Sequence, residues 1–171
     1  MEVNSSNIYS TIFNTIAKKS SCGMNFFVSP QPNIVLHNCK VLECNNKYFV
    51  LLFEKKDSIF LFSLLKKLSL KVYSKILNKE IYEKFENSLN NNEITEGIYP
   101  IYHETHSKDK FAVRCYYYPR QIKMYDDDSQ IAFFKPSFGT VVKKCEVSCK
   151  NVWMKDGVYG FNIVANNLYI E

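Results

Sequence analysis

The segment 139–170 constrains the fold more than any other, because two long runs of β-forming residues meet there at a two-residue turn. The turn, Asp156-Gly157, consists of residues that tolerate positive φ. Such a pair between two β-runs is the strongest short-range signal for a β-hairpin. The segment therefore predicts a hairpin that organises a sheet. We predict its strands at Gly139–Lys150, Val152–Lys155 and Val158–Ile170.

Shorter β-runs separated by turn residues precede this hairpin. Asn45-Asn46 separates two of them and predicts a second hairpin, formed by Asn33–Cys44 and Lys47–Glu54. Several short strands with regular turn signals and few connecting helices are typical of a small β-barrel. The other predicted strands are Ile98–Tyr102, Lys110–Tyr118, Gln121–Tyr125 and Gln130–Phe134.

Between residues 60 and 90 the hydrophobic pattern changes to a helical period. Leu65, Leu68 and Val72 recur at three- and four-residue spacing and predict an amphipathic helix over about 60–77. A second helix is predicted for Glu80–Leu89. Another face of the region carries a ridge of lysines, which is either solvated or part of a track for a polyanion. The ridge consists of Lys67, Lys71, Lys75 and Lys79.

The length of 171 residues fits one domain with decorations. Residues 1–23 are polar with a weak helical pattern, and we expect an N-terminal arm or short helix there. Residues 24–171 are expected to form a single domain with a helical insertion at about 60–90. The predicted fold class is α+β, mainly β, with a small β-barrel at its centre.

The net charge and the cysteine pattern indicate which class of partner the protein could bind and in which cellular compartment it is expected. The net charge of +5 at pH 7 is compatible with a polyanionic partner, although lysine in excess also serves solubility alone. No signal peptide is predicted, and the longest apolar stretch, Ile59–Leu65, is too short to span a bilayer. The six cysteines include no CxxC pair. We therefore expect free thiols in an intracellular protein that is not secreted and has no membrane partner.

The sequence offers poor support for an enzyme. His103-Glu104-Thr105-His106 is similar to a zinc protease motif, but its histidines are three residues apart rather than the required four. Cys145 and Cys149 lack the spacing of a structural zinc site. No glycine-rich phosphate loop or nucleophile elbow is present. We predict no catalytic activity, no cofactor and no metal.

The order of motifs near the predicted hairpin is similar to that of a known family. Val152-Trp153, the turn, Tyr159-Gly160 and the apolar Asn167–Ile170 follow one another, with Phe111–Arg114 upstream. This pattern resembles the final strands of OB-fold single-stranded-DNA-binding proteins of large DNA viruses and related linear DNA elements. The resemblance implies an OB-fold-like barrel that binds single strands nonspecifically during replication or recombination, in the host cytoplasm or nucleus. RNA binding, replication proteins as partners and a homo-oligomer are left open.

Alternation along Lys110–Tyr118 predicts which side chains are available for binding. Phe111, Val113, Cys115 and Tyr117 share an apolar face, whereas Arg114 shares the other with two tyrosines. Binding to single strands requires cations for the phosphates and exposed rings for the bases. Trp153 likewise shares a face with a lysine. The candidate nucleic-acid-binding residues are Arg114, Tyr116, Tyr118, Arg120, Lys123, Lys143, Trp153 and Lys155.

These residues also fit structural roles. Trp153 fits a residue that caps the barrel core, and Arg114 fits a partner for the acidic run Asp126–Asp128. Tyr116 and Tyr118 fit edge-strand tyrosines without a ligand. The alternative function is a viral structural or host-interaction protein whose β-domain binds another protein, which predicts a contiguous exposed apolar patch.

Overall fold

The computed structural model describes residues 1–127, 129–132 and 135–171. In this part of the chain ten strands form one connected sheet, and two helices follow the fourth strand. The fold is therefore α+β and mainly β, which confirms the predicted class. The strands are β1 (Asn14–Ser20), β2 (Gly23–Ser29), β3 (Asn33–Cys44), β4 (Tyr48–Glu54), β5 (His103–Glu104), β6 (Lys110–Tyr116), β7 (Lys123–Asp126), β8 (Ser129–Ile131), β9 (Val141–Lys155) and β10 (Val158–Ile170).

Five of these strands pair around a ring. β3 pairs with β4, β4 with β6, β6 with β10, β10 with β9, and β9 again with β3. All of these pairings are antiparallel except that of β6 with β10, which is parallel and runs through Tyr116 and Val164. The hairpin β1–β2 extends the sheet from β9, and β7 with β8 extends it from β10.

Both predicted hairpin turns form for local chemical reasons. The side chain of Asn45 accepts hydrogen bonds from the backbone N–H groups of Lys47 and Tyr48, at 2.8 and 3.0 Å, and so turns the chain from β3 into β4. Asp156 and Gly157 both adopt positive φ, 52° and 79°, between β9 and β10. A turn with two positive φ angles matches the twist of the flanking strands.

The two helices are α1 (Ile59–Tyr73) and α2 (Lys79–Asn90). α1 buries Leu65, Leu68 and Val72, as the periodicity predicted, and ends earlier than the predicted residue 77. The ring of Tyr73 on α1 packs edge-on against Phe161 of β10 at 5.0 Å. α1 therefore covers the face of β10 that carries Phe161. No helix in the described residues is both long and apolar enough to cross a membrane.

The lysine ridge is not confined to one helix: Lys67 and Lys71 lie on α1 and hold the N-terminal segment, Lys75 follows α1, and Lys79 begins α2. The Nζ atom of Lys71 donates hydrogen bonds to the backbone carbonyls of Tyr9 and Thr11, at 2.7 and 3.0 Å. Lys67 lies 4.4 Å from the centre of the Tyr9 ring and hydrogen-bonds its hydroxyl. Lys79 pairs with an acid of its own helix.

The prediction of a short helix or arm for residues 1–23 is wrong for its second half. Asn14–Ser20 forms β1, which pairs with β2 along its whole length. Phe13 is buried in the core, whereas Ile16 is exposed. β1 is exposed along nearly its whole length, so it lacks the alternation of buried and exposed residues that would have indicated a strand.

Other strand boundaries also differ from the predictions. β9 is one continuous strand, whereas the sequence predicted a break at Asn151. The predicted strand at Ile98–Tyr102 forms only a single bridge, and β6 ends at Tyr116 rather than Tyr118. Two predictions lie partly outside the described residues, because these omit Phe133 and Phe134 of the predicted strand 130–134 and Asp128 of the acidic run.

Candidate functional site

The two faces of the β9–β10 hairpin differ in what they contact. Phe161 points towards α1. Because successive side chains alternate between the faces of a strand, Gly160 and Asn162 lie on the opposite, outer face. Trp153 is the register partner of Gly160, and its indole therefore also lies on the outer face.

The indole of Trp153 lies directly against the backbone of Gly160. A Cβ atom at position 160 would come within 2.4 Å of Cζ2 and 2.7 Å of Cε2 of the indole. Glycine is therefore required sterically where the indole crosses β10. Trp153 is half-buried and lies outside the hydrophobic core, so it does not cap that core. One face of its ring is covered by the strand.

Arg114 and Tyr116 on β6 line the same groove as Trp153. The guanidinium carbon of Arg114 lies 4.7 Å from the centre of the Tyr48 ring, a cation–π geometry. Tyr48 and Tyr116 contact each other edge-on, with 5.9 Å between ring centres. The alternation predicted for this strand is confirmed, since Phe111, Val113, Cys115 and Tyr117 are buried on the other face.

A second groove extends this surface beyond the end of β6. It is lined by Tyr116, Tyr118, Trp153 and the β3–β4 turn, which contributes Asn46 and Lys47. The side chain of Tyr118 is 43% exposed, and Lys150 lies 4.9 Å from the centre of its ring. We call the set Tyr48, Arg114, Tyr116, Tyr118 and Trp153 the aromatic surface.

The cations around the aromatic surface have no acidic partner among the described residues. Four of them form no ion pair there: Lys47, Arg114, Lys150 and Lys155. Lys155 lies two residues after Trp153 at the end of β9. Glu43 is the acid that contacts this surface, accepting a 2.9 Å hydrogen bond from the hydroxyl of Tyr48, and this bond raises the pKa of Tyr48. The surface therefore suits an anionic ligand.

Three of the predicted site residues do not join this surface. Lys143 precedes Trp153 by ten residues on β9, which is roughly 30 Å at about 3.3 Å per residue, and it pairs with Asp127 at 3.1 Å. Lys123 is aligned with Asn167, far along β10 from the turn. Arg120 is exposed in the turn after β6 and lines neither groove. The sequence-based prediction grouped these residues with the tyrosines and Trp153 because they are close in sequence. In the structure a long strand carries residues that are close in sequence to positions far apart in space.

A row of asparagines, which the sequence analysis did not select, crosses the outer face. The Nδ2 atom of Asn151 donates to Oδ1 of Asn25 at 2.8 Å, and Nδ2 of Asn162 donates to Oδ1 of Asn151 at 3.1 Å. These side chains belong to β2, β9 and β10. Asparagine is depleted in strands, so Asn162 inside a predicted strand was a usable signal, whereas Asn25 and Asn151 fell outside the predicted strands.

The other candidate chemical groups do not form a reactive site. Glu104 forms an ion pair with Lys55 at 3.3 Å. His103 is exposed, and partial desolvation of its ring and the nearby charge of Arg114 lower its pKa. Burial raises the pKa of Cys149 to about 12, which makes this thiol a packing group rather than a nucleophile. Within the described residues no three metal-ligating side chains cluster.

No protein-family model and no curated protein matches this chain.

Proposed function

We propose that this chain is a non-enzymatic single-stranded-DNA-binding protein that binds through the aromatic surface. The observation that carries the proposal is the grouping of Arg114, Tyr116 and Trp153, none of which belongs to the hydrophobic core, around one groove. Rings held on the outer face among cations offer planes on which unpaired bases stack, at about 1–3 kcal/mol per base. The resemblance of the C-terminal segment to viral single-strand-binding proteins supports a role in replication or recombination.

We further propose that the ring of five strands is a barrel of the OB-fold class. Barrels of this class bind oligonucleotides on the face of their second and third strands, with help from the loops between strands 1 and 2 and strands 4 and 5. β4 and β6 are the second and third strands of the ring in chain order. They carry Tyr48, Arg114 and Tyr116, while Lys47 belongs to the first of these loops. The location of the aromatic surface thus supports the barrel and its ligand together.

The four cations that form no ion pair within the described residues support binding to the sugar–phosphate backbone of DNA without sequence preference. Lysine and arginine displace condensed counterions from phosphates, and each contact on a single strand contributes about −0.7 to the slope of log K against log salt. The four cations around the aromatic surface predict a slope of about −3. Such a slope is expected for oligo-dT, and RNA of the same length is the natural comparison.

The first test is a titration of the chain with oligo-dT at several salt concentrations. Trp153 is the only tryptophan, so its fluorescence reports directly on the site. We expect quenching and the salt slope given above. Replacing Tyr116 and Tyr118 by Ala should weaken binding by a few kcal/mol at about 1–3 kcal/mol per ring. The matched control is Phe60→Ala on α1, where the ring is 79% exposed and off the aromatic surface.

Two results would refute this proposal. One is the absence of any fluorescence change or binding at low salt. The other is a double tyrosine variant that binds as tightly as the wild type while remaining folded.

Binding to another protein is the second candidate function, and one observation favours it. Ile59 and Phe60 are adjacent, strongly exposed apolar residues at the start of α1. Exposed apolar groups that are contiguous mark protein contacts more often than isolated ones. If this function is correct, Phe60→Ala abolishes partner binding, and oligo-dT has no effect on the chain.

A further inference from the structure

The outer face of β9 continues onto the N-terminal hairpin. In the register between β2 and β9, Asn25 is aligned with Trp153 and Phe27 with Asn151. In the next register Lys18 of β1 is aligned with Asn25. Aligned residues of antiparallel strands project to the same face of a sheet. Lys18 and Phe27 therefore lie on the same face as Trp153.

The ring of Phe27 has no role in the hydrophobic core. Its neighbour Phe26 points to the other face and stacks on Tyr159, with 6.4 Å between ring centres. Phe27 is 41% exposed, and the Nζ atom of Lys18 lies 5.4 Å from the centre of its ring. Within the described residues Lys18 has no acidic partner. This pair repeats the combination of exposed ring and unpaired cation that defines the aromatic surface.

We propose that Lys18 and Phe27 form a second contact for the same bound single strand, which then crosses β10, β9 and β2 to reach β1. This inference rests on the proposed function of the aromatic surface. The asparagine row lies between the two contacts, and the hydrogen bonds of the buried Asn151 to Asn25 and Asn162 hold this part of the face in place. β9 and β1 are two strand spacings apart, about 10 Å in total. At about 3.4 Å per stacked nucleotide, the second contact adds roughly three nucleotides to the site.

Charge complementarity identifies a polyanion as the occupant. The β1–β2 hairpin, residues 14–29, carries Lys18 and Lys19 and contains no Asp or Glu. The lysines offer a matched pair, since Lys18 lies on the face of Phe27 and Lys19 on the opposite face. A contact confined to the outer face involves the first lysine and spares the second.

The experiment compares Phe27→Ala, Lys18→Ala and Lys19→Ala for binding to dT18, with fluorescence anisotropy as the readout. We expect Phe27→Ala to weaken binding at least about fivefold and to shorten the site by about three nucleotides. Lys18→Ala should reduce the magnitude of the salt slope by about 0.7, and Lys19→Ala should leave it unchanged. The thermal unfolding midpoint of each variant checks that it is folded.

Two outcomes overturn the inference. If the wild type binds dT18 and both Phe27→Ala and Lys18→Ala bind it equally well, the second contact is absent while the proposed function stands. If the wild type binds no oligonucleotide, both proposals fail together. Should Phe27→Ala not fold, the contrast between the two lysine variants decides the matter alone.

Discussion

The two ends of the β9–β10 ladder both bring lysines and aromatic rings together, yet they use them differently. Near the turn, Trp153 and its neighbouring rings lie among cations that form no ion pair in the part of the chain that the structure describes. At the other end, Tyr125 and Tyr169 stack on each other with 4.6 Å between ring centres and an angle of 11°. Lys144 lies 4.8 Å from the Tyr169 ring and pairs with Glu146. We call this second group, together with Lys143 and Asp127, the distal cluster.

The comparison shows that composition alone does not mark a binding surface. Both ends have rings and lysines, but in the distal cluster the two rings stack on each other and the lysines form ion pairs with Glu146 and Asp127. A ring stacked on another ring has one face fewer for a ligand, and a lysine paired with a carboxylate contributes little net attraction for a phosphate. The aromatic surface differs from the distal cluster because its cations form no ion pair within the described residues.

The largest expected effect is the loss of oligo-dT binding when aromatic rings are removed from the aromatic surface, compared with their removal from the distal cluster. Replacing Tyr116 and Trp153 by Ala removes two stacking planes, and we expect a loss of about 2–6 kcal/mol in oligo-dT binding. Replacing Tyr125 and Tyr169 by Ala should leave binding unchanged and lower the free energy of unfolding, by about 0.5–1.5 kcal/mol for the pair interaction. Anisotropy of a labelled oligonucleotide and urea denaturation measure the two quantities. Equal losses of binding from the two double variants would erase the distinction between the ends.

A smaller effect is expected from Gly160→Ala. The added methyl group would overlap the indole of Trp153, and overpacking of this kind costs about 1–3 kcal/mol of stability. The displaced indole should also bind oligo-dT less well. In a Trp153→Ala background the same change should cost much less, because the clash is gone. Additive costs in the double-mutant cycle would mean that the indole does not rest on Gly160 in solution.

The smallest expected effect is the contribution of Glu146, in the distal cluster, to the pH dependence of the free energy of unfolding. Hydrogen bonds from Lys144 and then Asn167 lower the pKa of Glu146. A carboxylate with a lowered folded pKa stabilises the fold above its unfolded pKa, about 4.3, and this contribution is lost as the pH falls through the folded value. The pair is about one-third exposed, so we expect less than about 1 kcal/mol. Urea denaturation between pH 7 and pH 3 should show a shallower decline for Glu146→Gln, and an identical decline would refute the assignment.

Local sequence signals predicted much of the fold. Asn45 and Asp156-Gly157 predicted both hairpin turns, and the spacing of Leu65, Leu68 and Val72 predicted α1. β1 was missed because nearly all of its residues are exposed, so neither face carries an alternating apolar pattern. β2 pairs locally with β1 and also with β9, more than a hundred residues away in sequence, and that second pairing leaves little trace in a local hydrophobic pattern.

The same division applies to the candidate site. Alternation predicted that Arg114 and Tyr116 share one face of their strand and that Trp153 lies on an exposed face of another strand, and the structure brings the three together around one groove. Alternation failed for Lys123 and Lys143, because their location depends on how far a strand runs rather than on which way a side chain points. Period-two patterns determine the face of a residue, whereas the register determines its neighbours.

The single parallel contact in the ring has a consequence for how binding and folding are linked. β6 and β10 are joined at Tyr116 and Val164, so Tyr116 belongs both to the closure of the ring and to the aromatic surface. A strand of DNA stacked on both Tyr116 and Trp153 would bridge this seam, the pairing of β6 with β10, and so help to hold the ring closed. Because a ligand that binds only the closed form stabilises it by mass action, local opening of the seam and release of DNA would be the same event.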